Sequence, residues 1–307
     1  MLVSSASAVP LPSSPPSIPR RDDQSHRTVR TLVESIRASP STSGPPVESL
    51  RRGDWVKLIC GASFEDSADV RNLSLVYALS GVDCIDCAAD SSVVTAAAEG
   101  IEAAVEVSDG LARKPWLMIS VNDDETDLHF RKAEFDPEEC PKDCSRPCER
   151  VCPANAIALE KGGVITERCY GCGRCLPVCP YDKIRASAYV RDATATSQLL
   201  RRPNVDAIEI HTSGRRTDLF QKLWHDLGDS TGHVKIVAVS LPNLCDLTLS
   251  AMNEIYSIMD PHFQWDNLWQ LDGRPMSGDI GRGATREAIA FATEMAAVQN
   301  RPHGRFM

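Results

Sequence analysis

Eight of the chain's twelve cysteines fall between Cys140 and Cys179, and this concentration constrains the fold more than any other feature. Disulfide scaffolds are small and spread their cysteines along the chain. Forty residues holding eight cysteines in a repeated pattern point instead to metal ligation in a reducing compartment. The second half reads Cys169-Tyr-Gly-Cys172-Gly-Arg-Cys175-Leu-Pro-Val-Cys179-Pro180, a C-x2-C-x2-C-x3-C-P run. Three thiolates on one tight loop can take three corners of a 4Fe–4S cube, while the fourth, ahead of proline, ligates another cluster. Gly171 and Gly173 permit the positive φ values that such wrapping needs. Zinc sites more often pair two C-x2-C turns across a long loop.

The first half, Cys140, Cys144, Cys148 and Cys152-Pro153, has three residues in every gap. Spacing of four along the chain would make a helical stripe, but Pro147 stands in mid-course and would break it. A loop is expected. Between the halves, Ala156-Ile157 and Gly162 to Ile165 read as strand, turn and strand. Over Cys140 to Pro180 the segment resembles a bacterial two-cluster ferredoxin module. That resemblance implies crossed ligation: Cys140, Cys144, Cys148 and Cys179 on a first cluster, Cys152, Cys169, Cys172 and Cys175 on a second. The widened first half makes Cys140 the weakest ligand and the first cluster prone to lose an iron, becoming 3Fe–4S.

Around the cysteines the pattern alternates. Strands are predicted at Trp55–Cys60, Val82–Cys87, Pro115–Val121, Val205–His211, Val234–Ser240 and Asp266–Leu271. Helices are predicted at Asp66–Ser80, from Asp90 and Ser91 to about Val107, and at Thr217–Leu227, Asn243–Met259 and Thr285–Gln299. Short apolar strands alternating with helices predict a parallel α/β sheet with right-handed crossovers. An incomplete (β/α) barrel and an open doubly wound sheet both fit. The barrel is favoured because Cys60-Gly61-Ala62-Ser63, not G-x-G-x-x-G, follows the first strand. The ferredoxin-like α+β module is then an insertion. The division is 1–46 leader or disordered tail, 47–135 first βα units, 136–190 cluster module, and 191–307 remaining βα units. Gly304-Arg-Phe-Met307 looks like the start of another strand, so the chain reads as a shortened product, with a frayed terminus as the plain alternative.

Met1 to Pro19 holds six serines, five prolines and no acid, with arginines following. Such a start resembles an organelle transit peptide, although a plain disordered tail has the same composition. A net charge of -9 argues against nucleic acid as a partner. No apolar stretch approaches the ~20 residues of a membrane span. Cys84 and Cys87 sit three apart in a strand and face opposite ways. They, Cys60 and Cys245 are expected to be buried packing residues. A glycine-rich loop over 278–285 enters the last helix, where Gly278, Gly281, Gly283 and Arg274 form a candidate anion site; a plain turn-rich connection is the alternative. No catalytic acid–base pair can be placed.

Val56-Lys-Leu-Ile-Cys-Gly-Ala-Ser63, Gly81 to Asp90, the double cysteine motif and Asp272-Gly-Arg-Pro-Met-Ser-Gly-Asp-Ile-Gly281 together resemble the LdpA (light-dependent period) iron–sulfur family of cyanobacteria, with plastid relatives. The resemblance implies a redox-responsive protein that feeds light and metabolic state to the circadian clock in cyanobacteria, and a barrel continuing past Met307. With the leader, it implies a plant or algal homologue in the chloroplast stroma. The expected function is electron carrier or redox sensor, exchanging electrons with a ferredoxin-like protein. The alternative is a barrel reductase fed by the clusters, with a flavin or phosphorylated substrate at the 278–285 loop.

Overall fold

A computed structural model describes residues 44–108, 113–259, 266–274 and 281–307. The predicted leader therefore lies almost wholly outside the described residues, as does Gly278. The chain enters through α1 (Pro46–Arg52), where Pro46 occupies the first turn and Gly53, at φ 83°, closes the helix. Then come β1 (Lys57–Gly61), α2 (Ser67–Leu79), β2 (Cys84–Ala88), α3 (Ser91–Val107) and β3 (Trp116–Asn122). Asp66 and Asp90 cap α2 and α3, accepting from the N–H groups of Asp69 and of Ser92 and Val93.

The sheet resumes with β8 (Ala207–His211), α6 (Thr217–Leu227), β9 (Ile236–Leu241), α7 (Thr248–Met259), β10 (Asp266–Leu271), α8 (Ala284–Ala297) and β11 (Arg305–Phe306). All seven strands are parallel, in the order β1-β2-β3-β8-β9-β10-β11. That order never reverses, so there is no switch point and the doubly wound alternative falls. The terminal Arg305–Phe306 pairing with β10 accords with the strand expected there.

The sheet is curled into a half-barrel. Lys57 on β1 reaches across β2 and β3 to pair with Glu209 on β8. In a flat sheet those strands would stand about 14 Å apart, beyond the joint reach of the two side chains. On the convex face the helices bury one large apolar core, into which Val93, Ile119, Ile208, Phe220, Met252 and Trp269 project. On the concave face a smaller cluster around Trp116, Met118, Ile236 and Leu268 is plugged by Leu50 of α1. Cys84 belongs to the concave cluster and Cys87 to the convex core, the opposite facing expected of them.

Between β3 and β8 lies an excursion. The antiparallel strands β4 (Arg131–Glu134) and β7 (Arg185–Ala188) form its root. Beyond them lie α4 (Pro147–Val151) and the antiparallel pair β5 (Ile157–Ala158) and β6 (Gly163–Val164), the strand-turn-strand expected between the cysteine groups. The expected loop over Cys140–Cys152 holds as far as Arg146 and needs correction beyond it. Pro147 does not forbid a helix but starts one, at the position where its missing N–H costs nothing. The excursion returns to the sheet through α5 (Ala193–Leu200), capped by Asp192. Among the described residues no helix is long and apolar enough to cross a membrane.

Candidate functional site

Two sites lie on the C-terminal side of the sheet. The first is the cysteine segment. One pocket is lined by Cys152, Cys169, Cys172 and Cys175, so the cysteine ahead of Pro153 joins the three of the second loop. Gly171 and Gly173 take φ 73° and 75°, and a Cβ on Gly171 would stand 2.6 Å from the Arg131 carbonyl oxygen. Only glycine allows the loop to lie this close to β4. Arg131 Nε donates to the Gly171 carbonyl at 2.8 Å. Burial, reinforced by the neighbouring Cys169 and Cys172 thiolates, pushes the Cys175 thiol up to about 11. Four cysteines lining one pocket are a donor set that suits an iron–sulfur centre.

Cys140, Cys144, Cys148 and Cys179 form the second neighbourhood. Burial, then the charges of Cys144 and Cys179, raise the Cys140 thiol; burial and Cys179 raise Cys148. Burial also opposes ionisation of Cys179, but backbone N–H groups led by Lys183 outweigh it and lower that thiol. Backbone N–H groups donate to sulfur in both neighbourhoods: Ala133 to Cys169 at 3.3 Å, Ala156 to Cys152 at 3.2 Å, Lys183 to Cys179 at 3.3 Å and Arg146 to Cys144 at 3.5 Å. Donors of this kind tune the reduction potential of a bound cluster.

Lys132 clasps this segment to the barrel. Its ammonium donates to the carbonyls of Ser63, Thr166 and Cys169 and to Glu65 Oε2, the last at 3.2 Å. Phe64 meets Tyr170 edge-on at 6.5 Å. The Cys152 and Cys169 neighbourhood therefore faces the sheet.

The second site is the mouth of the half-barrel. Lys57, wholly buried, lies 3.2 Å from Asp86 Oδ2 and also pairs with Glu209. Burial opposes its charge, but Glu209 and Asp86 overcome this and raise its pKa. Burial lifts Asp86 to about 7 although Lys57 pulls the other way, and Ser120 Oγ donates to it at 2.6 Å. Glu209 Oε1 lies 3.2 Å from His211 Nε2, and His211 Nδ1 lies 3.1 Å from Asp127 Oδ2. Burial disfavours the imidazolium of His211, but the flanking Glu209 and Asp127 more than offset it. Of these groups His211 and Asp127 line a pocket of about 460 Å³, together with Asp272, Ser240 and Asn243, while Glu209 and Lys57 lie behind His211. In barrels this face carries the ligand sites.

Sequence reasoning missed this second site, yet a signal existed. Lys57, Asp86 and Glu209 each interrupt an otherwise apolar strand, and charges are almost never fully buried unless paired. Of the candidate anion site, Arg274 is engaged by Glu287 at 3.2 Å and by the carbonyls of Gly281 and Arg282. Gly283, at φ 88°, precedes α8. Cys60 is half-buried against the convex core, and burial pushes its thiol up to about 12. Cys245 is a correction: it is exposed, on a 3-10 turn ahead of α7, and is no packing residue.

Residues 140–190 match the model of the LdpA Fe-S cluster-binding domain, and residues 199–306 that of the Light dependent period A C-terminal domain. Light dependent period A of Synechococcus elongatus is 48% identical over 257 residues, 81% of this chain and 69% of that protein. The chain belongs to the light-dependent period A family. The first of these matches spans the cysteine segment, and the second spans the part of the sheet that follows it, from the end of α5 to β11. No solved structure matches.

Proposed function

We propose that this member of the family is a redox protein with two 4Fe–4S clusters, acting as an electron carrier or redox sensor. Cys152, Cys169, Cys172 and Cys175 would hold the cluster facing the barrel. Cys140, Cys144, Cys148 and Cys179 would hold the outer one. The observation carrying this reading is the company of Cys152, which leaves its own run to share a pocket with three cysteines from the other. When bound, such clusters supply one-electron chemistry. The chain's own part is to fix the thiolates, aim N–H groups at them, and anchor the inner loop through Lys132. The outer quartet, nearer the surface, suits exchange with a ferredoxin-like partner. The serine-rich, acid-poor start supports import into a plastid. There, light-driven electron flow would set the cluster state, in keeping with the name of the cyanobacterial relative.

A barrel enzyme fed by the inner cluster is the second reading, favoured by the polar pocket at the mouth. Anaerobically purified chain decides the main point through iron and sulfide counts and low-temperature EPR before and after dithionite. About eight irons and two interacting reduced signals are expected, and Cys152→Ser should remove one signal while leaving the other. Colourless protein with zinc on the cysteines would end the proposal. Flavin released from the same preparation would favour the enzyme.

A further inference from the structure

We infer that the mouth of the half-barrel binds a divalent first-row transition metal on Asp127, His129 and His211. The three lie on the loop after β3 and at the end of β8, and one donor atom from each falls within 4.8 Å of the others. His211 Nδ1 stands 3.1 Å from Asp127 Oδ2, and His129 Nδ1 stands 2.9 Å from Asp127 Oδ1. Ligand atoms placed tetrahedrally at about 2.1 Å from a zinc ion sit roughly 3.4 Å apart. Small side-chain rotations reach that spacing.

A second observation comes from behind the ligands. Metal-bound histidines usually turn their other nitrogen to a carboxylate, which fixes the ring and raises its basicity. Glu209 stands in that place, 3.2 Å from His211 Nε2, and is itself anchored by the buried Lys57. Phe130 packs edge-on against the His211 ring at 5.2 Å, holding it in place. Nδ1 is thereby left facing Asp127 and the pocket.

The third observation is room. Asp127, His129 and His211 all border the pocket of about 460 Å³, with Asp272 opposite. Three protein ligands beside an open space are the arrangement of a site that keeps a position for water or a further ligand. Two imidazoles and a carboxylate suit zinc or iron(II) and ill suit calcium or magnesium, which take oxygen ligands. An imidazolium at His211, with Nε2–H toward Glu209 and Nδ1–H toward Asp127, would satisfy the same carboxylates without a metal. The experiment must separate the two.

This inference goes beyond the cluster reading, since none of its ligands is a cysteine. Full-length chain, purified anaerobically with its iron and sulfide counted, is dialysed against a chelator and then equilibrated with Zn²⁺. Wild type should take one zinc per chain above the His211→Gln and Asp127→Asn variants at equal iron content. His129→Gln, at a half-buried position where misfolding is least expected, should weaken that zinc at least about tenfold, as loss of a ligand must if loss of its supporting partner already costs 10–100-fold. Equal uptake by wild type and His129→Gln overturns the site, as does uptake that only replaces missing iron. Failure of the iron count with the extra zinc intact would sink the cluster reading and spare this one.

Discussion

The backbone N–H of Ala133 donates to Sγ of Cys169 at 3.3 Å, on the strand that begins just after the His129 and Phe130 of the barrel mouth. Ala133 follows His129 by four positions, so their Cα atoms are at most about 14 Å apart. One short stretch of backbone thus borders both sites.

Ala133→Pro removes that single donor while keeping a small apolar side chain. A hydrogen bond to sulfur favours the more negative, reduced state of a bound cluster. The potential of the inner cluster should therefore fall, and that of the outer one should not. Redox titration followed by EPR checks this, and equal shifts in both signals would count against it.

Lys57 offsets two buried carboxylates at once. Lys57→Met should cost about 3 to 5 kcal/mol, because Asp86 then lies buried without its cation and Glu209 keeps only His211. The exposed Lys114–Glu102 pair gives the contrast, since both side chains are more than half exposed. Lys114→Ala should cost no more than about 1 kcal/mol. Urea unfolding of the two variants side by side measures the difference.

Asp123 sets a pH dependence. Burial, and then the charge of Asp124, lifts its carboxyl from 3.8 to about 7, although the nearby Thr212 pulls the other way. The native chain therefore holds a proton that the unfolded chain has released, and this contribution to stability is lost as pH rises from about 4 to about 7. Asp123→Asn is neutral throughout. It should match wild type near pH 4 and exceed it at pH 8 by up to about 4 kcal/mol. Thermal midpoints across that range, with wild type showing no decline, would refute it.

Gly100 lies inside α3, where glycine costs a helix about 1 kcal/mol against alanine. It is there because α2 crosses close by: a Cβ would press on the Arg71 carbonyl oxygen and stand 2.9 Å from Ser74 Cβ. Gly100→Ala should therefore destabilise, by about 1 to 3 kcal/mol, despite its better helix propensity. A stabilised variant in chemical denaturation would show that the two helices have slack.

The barrel half was readable because strands buried on both faces carry near-continuous apolar runs. Asp266–Leu271 and Thr217–Leu227 coincide with their expected bounds, and Asp66 and Asp90 cap as their positions imply. The ribbon of β4 and β7 was not legible. It packs little of its surface, β7 is exposed throughout, and neither strand alternates. α5 was missed because its threonines and serine weaken the helical signal. The cysteine-rich segment was legible from its spacing, whereas the mouth was not, since Lys57 and Glu209 meet only once the sheet has curled. Residues 152 apart in sequence share no local pattern.

β3 and β8 are hydrogen-bonded neighbours although residues 123–206 intervene. Closing so long an excursion costs entropy that rises by only about 0.6 kcal/mol per doubling of its length, and the β4–β7 ribbon pinches it at the base. The central seam of the barrel is thus a long-range pairing, joining two stretches of chain that no local contact can align.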